Sequence, residues 1–181
     1  MKTYNCAIIG YGYMGKALAQ RLSGFGMSII AYDKYISGFG SDTVKEVNME
    51  EVFKTADFVS LHTPLSDETK GMVNTTFIEN FKKSFYLINT ARGQSVITKD
   101  LVVALKTKKI SGACLDVLDM ETSSFEKVIE GNDTAFEELV NLDNVILSPH
   151  IAGWTHESKF KMAQFIVDKI KMEFDSLISN E

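Results

Sequence analysis

Short apolar runs alternate along this chain with stretches whose apolar residues recur at helical spacing. The runs predict strands at Asn5–Ile9, Ser28–Tyr32, Phe58–Leu61, Ser84–Ile88, Gly112–Asp116 and Val145–Leu147, with a weaker one near Val44–Val47. The periodic stretches predict helices at Met14–Phe25, Met49–Thr55, Thr75–Phe81, Thr98–Lys108 and about Thr134–Val140. Asn48, Asn74 and Thr98 stand where N-caps are needed. A last stretch, Thr155–Leu177, places Phe160, Ala163, Ile166, Val167, Ile170 and Phe174 on one face of a long helix. Nearly continuous apolar strands that alternate with helices imply a parallel sheet covered on both sides. The expected fold class is therefore α/β, a doubly wound parallel sheet with helices on both faces in three layers. No repeat, low-complexity tract or linker interrupts it, so residues 1–181 are read as one domain.

In such sheets ligands bind beyond the carboxyl ends of the strands, and the first strand end is the most informative. The run Cys6–Ile9 passes into Gly10-Tyr11-Gly12-Tyr13-Met14-Gly15, and a helix follows. Gly10 permits a tight turn, Gly12 lets the backbone approach a pyrophosphate, and Gly15 lets helix and strand pack closely. N–H groups at the helix start would hold the phosphates. The second strand ends on Asp33, close to the ~20-residue spacing of a ribose-binding acid, which would repel a 2′-phosphate. This is the order of a Rossmann-like dinucleotide site, with NAD favoured over NADP. The plain alternative is a structural glycine turn followed by an Asp that opens a loop.

Composition narrows the partners. The chain has 181 residues, is 45% hydrophobic and 24% charged, and carries a formal net charge of −5. That is the profile of a globular protein, and it argues against a nucleic-acid surface, which needs clustered Lys and Arg. Lys82-Lys83 and Lys108-Lys109 fall where helices should end and are read as solvated ends complementing the helix dipole. Cys6 and Cys114 both lie in apolar runs, so both are expected to be free thiols in interior strands. No apolar run reaches the ~20 residues of a membrane span, and no signal peptide opens the chain. The expected location is cytoplasmic, with no membrane partner.

Other strand ends carry groups capable of chemistry. Asn89-Thr90-Ala91-Arg92-Gly93 follows the fourth strong strand, Asp116 ends the next with Glu121 beyond it, and Pro149-His150-Ile151-Ala152-Gly153 follows the last. Arginine can grip a substrate carboxylate through two hydrogen bonds. Histidine can give or take a hydroxyl proton near neutrality, and a carboxylate partner orients it and raises its pKa. Taken singly, Arg92 could cap a loop, Glu121 could be a solvated charge, and His150 could be a satisfied buried histidine. The chain's two prolines, Pro64 and Pro149, sit just past strand ends, where proline stiffens a loop.

In combination these motifs resemble the nucleotide-binding domain of the D-isomer-specific 2-hydroxyacid dehydrogenases, which include phosphoglycerate dehydrogenases. The glycine turn, the His-Thr-Pro-Leu segment, Asn-Thr-Ala-Arg-Gly, Leu-Asp-Val and Pro-His-x-x-Gly occur here in that family's order. The resemblance implies hydride transfer between NAD(H) and a small 2-hydroxy or 2-keto acid. Arg92 then matches the substrate-binding arginine, His150 the proton donor and acceptor, and Glu121 its carboxylate partner. Gly10, Gly12 and Gly15 shape the turn, Tyr13 and Met14 match backbone donors to the pyrophosphate, and Asp33 matches the ribose acid. Thr63 and Pro64 fall beside the adenosine, Thr90 and Ala91 on the nicotinamide side, Asp116 at the carboxamide, and Gly153 in the loop over the nicotinamide. No metal is implied. His62 lies in the adenosine-side loop and is read as structural, and His156 as incidental. A homodimer is implied, with the Met14–Phe25 helix and the final helix as candidate faces.

Two departures stand out. Thr122 follows Glu121 where the family commonly has proline, and Ser123–Asn132 looks like extra material, so Asp119 and Glu126 rival Glu121. The family's subunit also has a substrate lobe flanking this domain. Met1-Lys2-Thr3 stands where the nucleotide domain normally begins, so that lobe is expected to be absent from this chain. The expectation is cofactor binding with weak or no turnover by the chain alone. The alternative is an NAD(H)-responsive regulatory module that does no chemistry.

Overall fold

A computed structural model describes residues 4–120 and 134–178, without the side chains of 176–178. The apolar runs form seven strands: β1 (Asn5–Ile9), β2 (Ser28–Tyr32), β3 (Val44–Glu46), β4 (Phe58–Leu61), β5 (Phe85–Asn89), β6 (Ile110–Leu115) and β7 (Val145–Leu147). The helices are α1 (Tyr13–Leu22), α2 (Met49–Thr55), α3 (Thr75–Asn80), α4 (Thr98–Lys106), α5 (Thr134–Val140) and α6 (His156–Ile178). The chain divides into two units, Met1–Pro149 and His150–Glu181. The second consists of a turn and α6, with Phe160, Phe165, Ile170 and Phe174 exposed along that helix.

The first unit is one parallel sheet in the order β3-β2-β1-β4-β5-β6-β7. Successive strands step outward in opposite directions from β1 and β4, which opens a crevice at their carboxyl ends. The register aligns those ends. Ile9 pairs with Tyr32 and Leu61, Leu61 with Asn89, Asn89 with Leu115, and Leu115 with Leu147. Asp33, Gly10, His62, Thr90, Asp116 and Ser148 therefore follow one another along a single rim.

The two faces are covered unequally. Ala7, Ile9, Val59, Leu61, Leu87 and Leu115 point to one face and pack with Val52 of α2, Ile78 of α3, Leu101 and Leu105 of α4 and Leu139 of α5. Each such buried Ile or Leu contributes roughly 1.5–3 kcal/mol by leaving water. On the opposite face Ile8, Ile29 and Ala31 pack under Ala19 of α1. No described helix of this unit covers that face over β5–β7, where Tyr86 and Ile146 are 46% and 67% exposed.

Cys114 shares that open face, because it pairs in register with Ile88 and Ile146. It is exposed, which corrects the expectation of two interior thiols; Cys6 is buried as expected. Caps also differ in part. Asn48 and Asn74 accept from the Glu51 and Phe77 N–H groups as expected. Thr98 is the first helical residue of α4, not its cap. Its N–H and hydroxyl donate to Asp119 beyond β6, so a carboxylate distant in sequence caps this helix. The basic pairs are not merely solvated: Lys83 bonds Asp57 at 2.6 Å, and Lys109 donates to the Phe81 carbonyl that ends α3. Helix α1 ends at Leu22 and tightens into a 3₁₀ turn over Ser23–Phe25, with Gly26 left-handed at φ 67°.

Candidate functional site: the rim of the parallel sheet

The glycine turn after β1 is shaped by close backbone approaches. Gly10 has φ +93°, and a Cβ there would lie 2.7 Å from the His62 carbonyl oxygen. A Cβ on Gly15 would overlap the Gly10 carbonyl oxygen, so α1 can approach β1 only with glycine at that position. Gly12 has open space around it and forms the N-cap of α1 with no side-chain cap bond. No acidic residue occupies the first turn of α1, and Tyr13 is 94% exposed. The helix start is thus left to an external anion, as a pyrophosphate site requires.

Asp33, at the end of β2, binds this turn directly. Its Oδ2 accepts the Tyr11 N–H at 2.7 Å, and its Oδ1 accepts the N–H groups of Tyr35 and Ile36 at 2.9 and 3.0 Å. Burial pushes the Asp33 carboxyl up, but the backbone donors outweigh it and hold it below the ordinary carboxylate range. The acid is therefore ionised and fixed beside the turn.

Between the loops after β2 and β4 lies a cavity of about 400 Å³, with Ile9, Met49, Phe53, Met72 and Phe77 among its apolar walls. Asp33, Thr63 and Pro64 line it as well. The Thr63 hydroxyl is buried and without a hydrogen-bond partner, a cost that a ligand's polar group would relieve. An apolar pocket with a fixed carboxylate and an orphaned hydroxyl suits a base joined to a ribose. His62 reaches back to Ser60, with Nε2 2.9 Å from its hydroxyl, and burial holds the imidazole below its usual pKa. That is the structural role expected of it.

Farther along the rim, the loop after β5 is organised by Asn89. Its amide nitrogen donates to the Arg92 carbonyl at 2.9 Å, and its oxygen accepts the Ala91 N–H at 3.1 Å. Thr90 and Arg92 are exposed on this loop, and Ala91 is buried. Gly93 has no room for a side chain, because a Cβ would overlap the Leu118 carbonyl. Asp116 is 4% exposed; its N–H donates to the Asn89 carbonyl, and its Oδ1 accepts from the Ser148 hydroxyl. Asn89 and Ser148 were not singled out from sequence. Asn at a strand end before a loop is a readable turn signal, whereas nothing local links Ser148 to Asp116.

Of the expected site residues, the structure brings Gly10, Gly12, Tyr13, Met14, Gly15, Asp33, Thr63, Pro64, Thr90, Ala91, Arg92 and Asp116 to one rim of the first unit. His150 and Gly153 stand in the second unit. There His150 has a left-handed backbone, φ 53°, and the Gly153 carbonyl accepts from the Ser158 hydroxyl. The Thr155 hydroxyl caps α6 by accepting the Ser158 N–H. Glu121 and its rival Glu126 lie outside the described residues. The other rival, Asp119, is engaged in capping α4.

Comparison with known proteins agrees with this geometry. Residues 1–152 match the model of the D-isomer specific 2-hydroxyacid dehydrogenase NAD binding domain. A glyoxylate reductase of Thermococcus litoralis is 37% identical over 94% of this chain and 49% of its own length. A D-lactate dehydrogenase of Lactiplantibacillus plantarum is 31% identical over 94% of this chain and 53% of its own. The NAD-complexed D-isomer specific 2-hydroxyacid dehydrogenase of Lactobacillus delbrueckii ssp. bulgaricus superposes with TM-score 0.82 at 34% identity, covering 94% of this chain and 54% of that one. The chain thus spans about half the length of the curated relatives it matches.

Proposed function

Because this chain belongs to the D-isomer specific 2-hydroxyacid dehydrogenase family, as its NAD-binding domain, we propose that it serves hydride exchange between NAD(H) and a small 2-hydroxy or 2-keto acid. The observation that carries this is the conjunction at the β1–β4 crevice. A glycine turn that no side chain caps, an ionised Asp33 and an orphaned Thr63 hydroxyl surround a cavity of about 400 Å³. These residues fit the cofactor: the start of α1 would take the pyrophosphate, Asp33 the ribose hydroxyls, and Asp116 the carboxamide.

Bound NAD would supply the hydride acceptor or donor. Arg92, exposed and held by the Asn89-ordered loop, would grip the carboxylate of the acid and orient its 2-carbon. His150 would move the proton at the 2-oxygen as hydride leaves or arrives, with Glu121 orienting the imidazole. The 181 residues alone are expected to bind cofactor yet turn over weakly, since catalysis of this kind gains from closure that excludes water. In that limit the chain behaves as the NAD(H)-responsive module of the second reading.

No described helix is long and apolar enough to cross a membrane; the family membership supports a cytoplasmic setting. The exposed apolar positions of α6 support a homodimer. Calorimetry with NAD and NADH tests the central claim: saturable one-site binding is expected, and no heat from a folded chain sinks it. Robust reduction of glyoxylate or pyruvate by the 181 residues would overturn the expectation of weak turnover.

A further inference from the structure

The mouth of the adenosine-side cavity carries a charged tie that the dehydrogenase chemistry does not use. Lys34, next to the ribose acid, donates to Glu68 Oε1 at 2.6 Å, and the Tyr35 hydroxyl donates to Glu68 Oε2 at 2.6 Å. All three residues line the cavity. Glu68 belongs to the loop after β4, which is folded on itself. The Thr69 hydroxyl donates to the Pro64 carbonyl and accepts the Ser66 N–H. The tie therefore joins the loops after β2 and β4 across the opening, and Lys34 is the cation among the residues lining it.

A 2′-phosphate on the adenosine ribose would arrive where Asp33 stands, and Asp33 alone repels it. Dinucleotide sites that accept the phosphate do so with a nearby cation. Lys34 sits where such a cation would be useful, on a flexible stem with a compact charge. The pair is half exposed, with side-chain exposures of 55% and 51%, so it is a weak surface pair that can open. Each partner still favours the other's charged form: the Glu68 hydrogen bond raises Lys34, and the Lys34 hydrogen bond lowers Glu68.

We propose that Glu68 is a cofactor-specificity residue, which by occupying the Lys34 ammonium withholds it from a 2′-phosphate and so adds to the rejection of NADP by Asp33. This rests on the reading of the cavity as the adenosine site. Glu68 recognises nothing on the cofactor; it acts through Lys34. The Tyr35 bond gives Glu68 a second anchor, which keeps the carboxylate in place when the lysine fluctuates.

The test is calorimetric titration of the full chain with NAD and with NADP, in wild type, Glu68→Gln, Lys34→Met and the double variant. In Glu68→Gln the freed ammonium is expected to tighten NADP binding about 5-fold, the worth of one exposed charge-assisted contact, with NAD changed less than about twofold. Lys34→Met alone should leave NADP no tighter than in wild type, and the double variant should lose the gain. An unchanged NADP-to-NAD ratio in Glu68→Gln overturns the proposal while leaving the adenosine site intact. A gain that persists in the double variant also overturns it, because removal of Glu68's own charge would then be the cause. Failure of wild type to bind NAD sinks the adenosine site and this proposal together.

Discussion

Asn89 folds its own loop: its side chain donates to the Arg92 carbonyl while accepting the Ala91 N–H, and it is wholly buried. The arginine proposed to bind substrate is thus positioned through its backbone by a residue that cannot itself reach solvent. Asn89→Ala leaves the buried Ala91 N–H unpaired and takes one donor from the Arg92 carbonyl, which keeps the Ser95 N–H. It is expected to lower the unfolding free energy by about 1–3 kcal/mol, read from urea denaturation. A loss below about 0.5 kcal/mol would mean that the loop is ordered by something else.

Gly12 and Gly15 stand in one motif but should respond oppositely to the same change. Gly15→Ala drives a methyl into the Gly10 carbonyl, so α1 must leave β1. A stability loss of about 1–3 kcal/mol or more is expected. Gly12→Ala meets no atom within 4 Å, and its φ of −75° suits any residue. That variant should unfold like wild type yet bind NAD about tenfold more weakly, since the methyl stands where the backbone must meet pyrophosphate. Unimpaired binding by Gly12→Ala would mean that the turn is not the phosphate seat.

His62 makes stability depend on pH. Burial lowers its folded pKa, whereas the unfolded chain protonates it near 6.5. Between those two values the unfolded state binds more protons, so stability falls as pH drops below about 6.5 and levels off beneath the folded pKa. His62→Gln removes this component. From about pH 7.5 to pH 5.5 the wild-type Tm should fall more steeply than that of the variant; parallel slopes would contradict the burial of a neutral imidazole.

The two thiols should separate cleanly. Burial pushes the Cys6 thiol up to about 11, and it lies in the core of β1. Cys114 is exposed on β6. A disulfide reagent is expected to label Cys114 in the folded chain and Cys6 only after denaturation. Rapid labelling of Cys6, mapped by mass spectrometry, would show that the β1 face opens in solution.

Most of the architecture was legible because it is written in short-range periodicity. β1, β2, β4 and β7 fall at the predicted residues, and α2 and α5 likewise. Other edges moved by one to three residues: β5 ends on Asn89 rather than Ile88, and α1 ends at Leu22 rather than Phe25. The glycine turn was legible too, because Gly10-x-Gly12-x-x-Gly15 between a strand and a helix is a local pattern, although the carbonyl that crowds Gly10 belongs to His62, distant in sequence. Thr98 illustrates the opposite case: its position looked like a cap, but the capping carboxylate is Asp119, brought in from beyond β6.

Strand order, register and the choice of bonding partners divide along the same line. Residue alternation along the chain specifies which segments are strands and helices, since a 2-residue or a 3.6-residue repeat is a property of neighbours in sequence. It says nothing about which strand face a helix will cover, and so Cys114, interior by its apolar surroundings in sequence, lies exposed on a face of β6 that no described helix of the first unit covers. Nor does it pair Lys34 with Glu68 or Ser148 with Asp116. Those contacts exist because parallel strands end at one level and lay their loops side by side, and only the packed sheet sets that level.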